Sequence, residues 1–147
     1  MIAIDKLMIG DWVSINGKPC KVAVLRRGNE YELPIGVESK YGVVYCSEEH
    51  VEPIMLTPEI LEKNGWKIHA TYGLKEEDGF VERVYMLYKY SYEVVFEDNN
   101  PVTIRRFKQV DDDGYDMLYI ANEMFVHVLQ NSFRLFCLNE LANNFKV

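Results

Sequence analysis

The sequence predicts an α+β protein: an N-terminal SH3-like small β-barrel, followed by an antiparallel sheet packed against one long C-terminal helix. Three observations carry this. Short runs with strand alternation, broken by tight-turn dipeptides, fill the first 56 residues and again residues 66–120. One long stretch with helical apolar spacing comes late, at about Glu123 to Asn139. Between the two strand-rich regions stands a helix-start signal, Leu56-Thr57-Pro58-Glu59. The expected domains are therefore 1–56, the small barrel, and 57–147, the α+β half.

Each element follows from local chemistry. Asp11 to Ile15 alternates Trp12 and Ser14 against Val13 and Ile15, then meets Asn16-Gly17. That dipeptide suits a type I′ turn, whose two central residues both need positive φ. Lys18 to Arg26 returns with Cys20, Val22 and Val24 on one face. From Arg27 to Ser39 the chain reads as turn-rich, with Gly28, Asn29, Pro34 and Gly36. Tyr41 to Cys46 and Val51 to Leu56 read as strands, the second at a sheet edge because of Pro53. Thr57 caps a short helix over about 58–64, with Pro58 in its first position and Asn64-Gly65 ending it.

From Trp66 to Ile120 a meander is expected, with strands near Trp66–Tyr72, Phe80–Lys89, Tyr90–Glu97, Val102–Val110 and Tyr115–Ile120. Asp78-Gly79, Asp98 to Pro101 and Asp113-Gly114 supply the turns. Asn122 is the expected cap of the last helix, whose apolar stripe is Phe125, Val128, Leu129, Phe133, Phe136 and Cys137. His127, Gln130, Asn131 and Arg134 fall at i, i+3, i+4 and i+7 and make one polar face. Residues Ala142 to Val147 read as a short strand or a tail.

Composition narrows the function classes. The formal charge is −7 and both halves are acidic, which disfavours nucleic acid, since phosphate contacts supply most of that affinity. The pairs Arg26-Arg27 and Arg105-Arg106 are too small to change this. No apolar run approaches the roughly 20 residues that span a bilayer, and the amino terminus lacks a signal peptide, so a cytoplasmic protein with no membrane partner is expected. Cys20, Cys46 and Cys137 lack metal-type spacing and read as buried, reduced thiols.

Motif searches return little chemistry. The acidic run Asp111 to Asp116 fails as a calcium loop, because aligning Gly114 with the loop glycine puts Gln109 and Ile120 at positions that need carboxylates. His50, His69 and His127 lie in different elements without ligand-spaced neighbours, so no metal site is expected. Phosphate loops, nucleophile elbows and zinc-protease helices are absent. A Cys-His pair such as Cys46 with His50 would suit nucleophilic chemistry if brought together, but proximity in sequence carries no geometry. No catalytic residue and no cofactor are assigned.

The chain resembles a family of small uncharacterised bacterial proteins, many from anaerobic gut bacteria. The residues concerned are Gly10-Asp11-Trp12-Val13, Gly17-Lys18-Pro19-Cys20, Pro53 through Trp66, and Val126 to Asn131 with Arg134-Leu135. The resemblance implies a shared helix over Val126 to Leu135 with polar positions His127, Gln130 and Arg134. Relatives of this kind end in Leu-Cys-Gly and a strand, where this chain has Phe136-Cys137-Leu138-Asn139. The family carries no function to transfer.

The functional expectation is a non-enzymatic protein-interaction or adaptor module. The alternative is an enzyme or small-ligand binder with its site between the two halves. Candidate binding residues are the helix row His127, Gln130 and Arg134, and a barrel edge around Trp12, Tyr41 and Tyr45. The partner is expected to be another protein, and a homo-oligomer is compatible with the same composition.

Overall fold

The structure, a computed structural model, describes residues 1–26, 32–72, 81–98, 100–110 and 114–147. The expected turns at Gly28-Asn29 and Asp78-Gly79, Asn99 of the turn cluster and the acidic run Asp111 to Asp113 lie outside the described residues. The chain divides into two compact units. Residues 1–54 with 125–145 and 147 form the first, and residues 55–124 with Lys146 the second.

In the first unit, β1 (Trp12–Ile15) and β2 (Lys18–Leu25) form a hairpin. Asn16 and Gly17 at its tip have φ of 51° and 74°, the left-handed pair such a turn requires. With β3 (Ile35–Ser39), β4 (Gly42–Cys46) and β5 (Val51–Glu52) they make an antiparallel sheet in the order β4-β3-β2-β1-β5. Its core face gathers Leu7, Val13, Val22, Ile35, Val37 and Val51. The sheet is open and does not close on itself as a barrel. β5 is two residues long and pairs only with Ser14 and Ile15, so it ends the sheet instead of closing it.

β3 was expected to be irregular because of Pro34 and Gly36. Gly36 is instead a packing device. A Cβ there would lie 2.8 Å from Val43 and 3.0 Å from Tyr45 and Val24, so only glycine lets these side chains close across the strand.

The C-terminal helix is also corrected. Two helices replace one: α2 (Val126–Leu135) and α3 (Asn139–Asn143). Phe125 is extended and stands at the N-cap, and the Val126 N–H donates to the Ile54 carbonyl at 2.9 Å, so the helix starts beyond the reach of Asn122. α2 ends where Cys137 turns left-handed at φ 59°. Leu138 N–H then bonds Phe133 O at 2.8 Å and Cys137 N–H bonds Arg134 O at 3.0 Å, the paired bonds of a Schellman stop. α3 follows and runs two residues into the stretch from Ala142 that was expected to be a strand or tail. Both helices belong with the first sheet, not the second. Polar side chains, described below, hold them there.

In the second unit, Thr57 Oγ1 accepts the Ile60 N–H at 3.3 Å and Pro58 opens α1 (Pro58–Lys63), as its residues dictate. Gly65, at φ 82°, turns the chain into β6 (Lys67–Tyr72). β7 (Glu82–Leu87), β8 (Tyr92–Glu97), β9 (Asn100–Gln109) and β10 (Tyr115–Ala121) complete an antiparallel meander in the order β10-β9-β8-β7-β6. Its core contains Leu56, Leu61, Trp66, Tyr85, Tyr92, Val94, Phe96 and Ile104. Trp66 meets Tyr92 and Tyr85 meets Phe96 edge-on, with ring centres 6.3 and 5.4 Å apart. Among the described residues no helix is long and apolar enough to cross a membrane.

Candidate functional site

The helix row sits inside the first unit. Gln130 is fully buried, and each of its amide atoms is occupied. Its Oε1 accepts the Trp12 N–H at 2.9 Å, while Nε2 donates to the Gly10 carbonyl at 3.1 Å and the Ala142 carbonyl at 2.8 Å. One side chain therefore fastens the start of β1 to α2 and α3. Arg134 donates to the Asp11 carboxylate in an ion pair, to Asn131 Oδ1 at 2.7 Å and to the Ile9 carbonyl at 3.3 Å. Asn131 in turn donates to the Lys6 carbonyl at 3.1 Å. His127 is buried and stacks on Phe125 with ring centres 5.7 Å apart.

The Asp11 carboxylate is fully buried and also accepts the Met8 N–H at 2.9 Å. Burial pushes its pKa up, although Arg134 and the Met8 amide pull it down. Gly10 precedes it at φ 90°, and a Cβ there would come within 3.3 Å of Arg134 Nη2. Gly10 to Val13 and Val126 to Leu135 are thus brought against each other. His127, Gln130 and Arg134 share one face of α2, and Gln130 and Arg134 tie that face to the chain around Gly10 and Asp11. Asp11 was not singled out, and its signal was a lone acid opening an apolar strand.

Trp12 is spoken for as well. Its indole N–H donates to the Phe145 carbonyl at 2.7 Å, and Lys21 Nζ lies 5.2 Å from its ring while reaching the Asn143 carbonyl at 3.0 Å. Trp12 therefore holds the chain after α3 and is separate from Tyr41 and Tyr45, which lie at the β4 edge. Tyr41 is 86% exposed, and Val43 and Val44 are 44% and 53% exposed. Lys40 Nζ lies 4.6 Å over the Tyr41 ring and the Arg26 guanidinium 4.0 Å over Tyr45. The strand Gly42–Cys46 itself carries no charge and, among the described residues, pairs on one side only, with β3.

The second unit has a feature the sequence did not reveal. A groove of about 570 Å³ crosses the face of its sheet, lined by His69, Met86, Tyr88, Glu93, Phe107 and Tyr115 among others. His69 Nδ1 and the Tyr88 hydroxyl are 3.0 Å apart. Five strands contribute, so no local motif encodes the groove. Its one trace was Glu93, a lone carboxylate inside the apolar run Tyr92 to Phe96.

The cysteines differ from expectation. Cys137 is exposed and Cys20 and Cys46 half-buried, because Cys137 occupies the turn after α2 instead of its apolar stripe. Burial pushes the Cys46 thiol up, with Cys20 adding to the effect. Among the described residues no three His, Cys, Asp or Glu side chains converge on a metal-sized site. The chain matches no family model, and no curated protein or solved structure is significantly similar to it.

Proposed function

We propose that this protein is a non-enzymatic interaction module of the cytoplasm, and that its β4 edge takes up an extended segment of another protein as an added strand. The exposed edge carries the proposal. Edge strands are ordinarily guarded by charge, proline or short length, because their free N–H and C=O groups template pairing. Gly42-Val43-Val44-Tyr45-Cys46 has none of the first two guards and exposes apolar side chains on both faces. Strand addition uses main-chain hydrogen bonds for affinity and alternate side chains for specificity. Lys40 and Arg26, stacked on the two tyrosines, favour a segment with an apolar middle and acidic flanks. The sheet order, with a 3₁₀ turn at Glu48–His50 just before β5, supports an SH3-like reading of this unit. Three free thiols support a reducing compartment.

The test is to pan a displayed random heptapeptide library on the wild type and on Val44→Lys. Val44 is exposed, so the variant should fold and melt as the wild type does. Recovered peptides should carry apolar centres with acidic flanks, shift the backbone amides of Gly42 to Cys46 in NMR spectra, and fail on Val44→Lys. Peptides that bind both proteins equally, or that shift amides elsewhere, refute the β4 site.

A further inference from the structure

We infer that the groove on the second sheet is a binding site for a small organic cation, an amine carrying an apolar or aromatic body. Three properties of the groove converge. First, its size of about 570 Å³ lies within the range of small-ligand sites, well beyond a surface crease. Second, its walls are rings and a thioether: Phe107, Tyr88, Tyr115, His69 and Met86. Aromatic faces are electron-rich and attract a cation laid against them. Third, its only carboxylate is uncommitted. Glu93 makes no ion pair or hydrogen bond with any described residue.

The neighbours of Glu93 sharpen the assignment. Arg105 stands directly opposite it on β9, yet does not come within ion-pairing distance and does not line the groove. Met86 is its other cross-strand neighbour and offers no charge. An anion entering here would meet a carboxylate at the groove wall. A neutral apolar molecule would leave that carboxylate half-buried without a counter-charge, a cost that a cation removes. A metal ion is poorly served, since His69 and Glu93 are the only side chains of the wall that commonly ligate one. The expected pose puts the ammonium between Glu93 and the tyrosine rings and the body along Phe107 and Met86. This site is independent of the β4 edge, and neither proposal rests on the other.

The experiment titrates phenethylammonium into the purified chain, followed by amide NMR shifts and calorimetry, beside phenylacetate and 2-phenylethanol. The amine should shift His69, Glu93 and Tyr115, and bind at least tenfold tighter than either the isosteric acid or the alcohol. Glu93→Gln should weaken the amine at least tenfold and erase its advantage over the alcohol, with an unchanged melting temperature. Tyr115→Ala, at a position 64% exposed, should also weaken it and leave the fold intact. Should Glu93→Gln fail to fold, Glu93→Met, which likewise removes the charge, makes the same comparison beside Tyr115→Ala. Equal binding of the acid, full affinity in Glu93→Gln, or no response to millimolar amine by the folded protein overturns the inference.

Discussion

Replacing Gln130 by Met keeps nearly the same shape and volume but removes every polar atom that fastens β1 to the two C-terminal helices. The Trp12 N–H, held now at 2.9 Å against the buried Gln130 in a part-buried place, loses its acceptor. The Gly10 and Ala142 carbonyls, at 3.1 and 2.8 Å, lose a donor. An orphaned buried donor costs about 1–3 kcal/mol, and a carbonyl less because its second lone pair helps, so the sum is about 3–5 kcal/mol. For a chain of this size that lowers the melting temperature by roughly 10–20 °C. Each unit holds one of the two tryptophans, Trp12 in the first and Trp66 in the second. Urea unfolding followed by Trp12 fluorescence in a Trp66→Phe background therefore reports the first unit. Gln130→Glu adds a sign test, because its carboxyl must stay protonated to donate to either carbonyl. Its deficit should grow as pH rises above the ordinary carboxylate range. If Gln130→Met unfolds within about 0.5 kcal/mol of the wild type, the reasoning is wrong.

The ion pair gives a second test, through pH. Because the folded-state pKa of Asp11 is raised, the folded unit binds that proton more tightly than the unfolded chain does. Its contribution to stability is therefore full below the ordinary carboxylate value of about 4, and is lost as pH rises through the raised one. The stability difference between the wild type and Asp11→Asn should shrink across that window in urea titrations, and a difference that grows would contradict the shift. Gly36→Ala should destabilise the first unit by about 1–3 kcal/mol through overpacking and should displace Tyr45, read from its ring NMR shifts. Thr57→Ala should cost about 1 kcal/mol through the lost cap, measured by urea unfolding of the second unit. A thiol reagent should label Cys137 in the native protein first and Cys46 far more slowly, since one is exposed and the other is half-buried with a raised pKa.

Elements fixed by their own residues were legible in the sequence. The Asn16-Gly17 turn, the Thr57-Pro58 cap and the Asn64-Gly65 stop each depend on φ preference or a bond within four residues, and all are present. The meander was legible because each strand pairs with its sequence neighbour. What failed depends on distant partners. Helical periodicity groups Gln130 with Arg134, but it does not say that the group meets Gly10 and Asp11 some 120 residues away. Strand carbonyls and a carboxylate satisfy its polar atoms. Gly36 looked like a loop residue because its reason, the Tyr45 and Val43 side chains, lies on another strand. Glu93 was visible as an oddity in an apolar run, but its groove is assembled from five strands.

The first unit is discontinuous, and this sets an order for its making. Residues 1–54 leave the ribosome first, yet their sheet is fastened by α2 and α3, which follow the whole of the second unit. At roughly 5–20 residues per second, the intervening 70 or so residues take several seconds to translate. During that delay the nascent sheet holds Asp11 without its cation and Trp12 without its acceptor, while the apolar β4 edge is already complete. The second unit, continuous but for Lys146, begins later and is free to finish first. The vulnerable interval for this protein is therefore on the ribosome, between Ile54 and Phe125, where a chaperone that shields bare strand edges has the most to do.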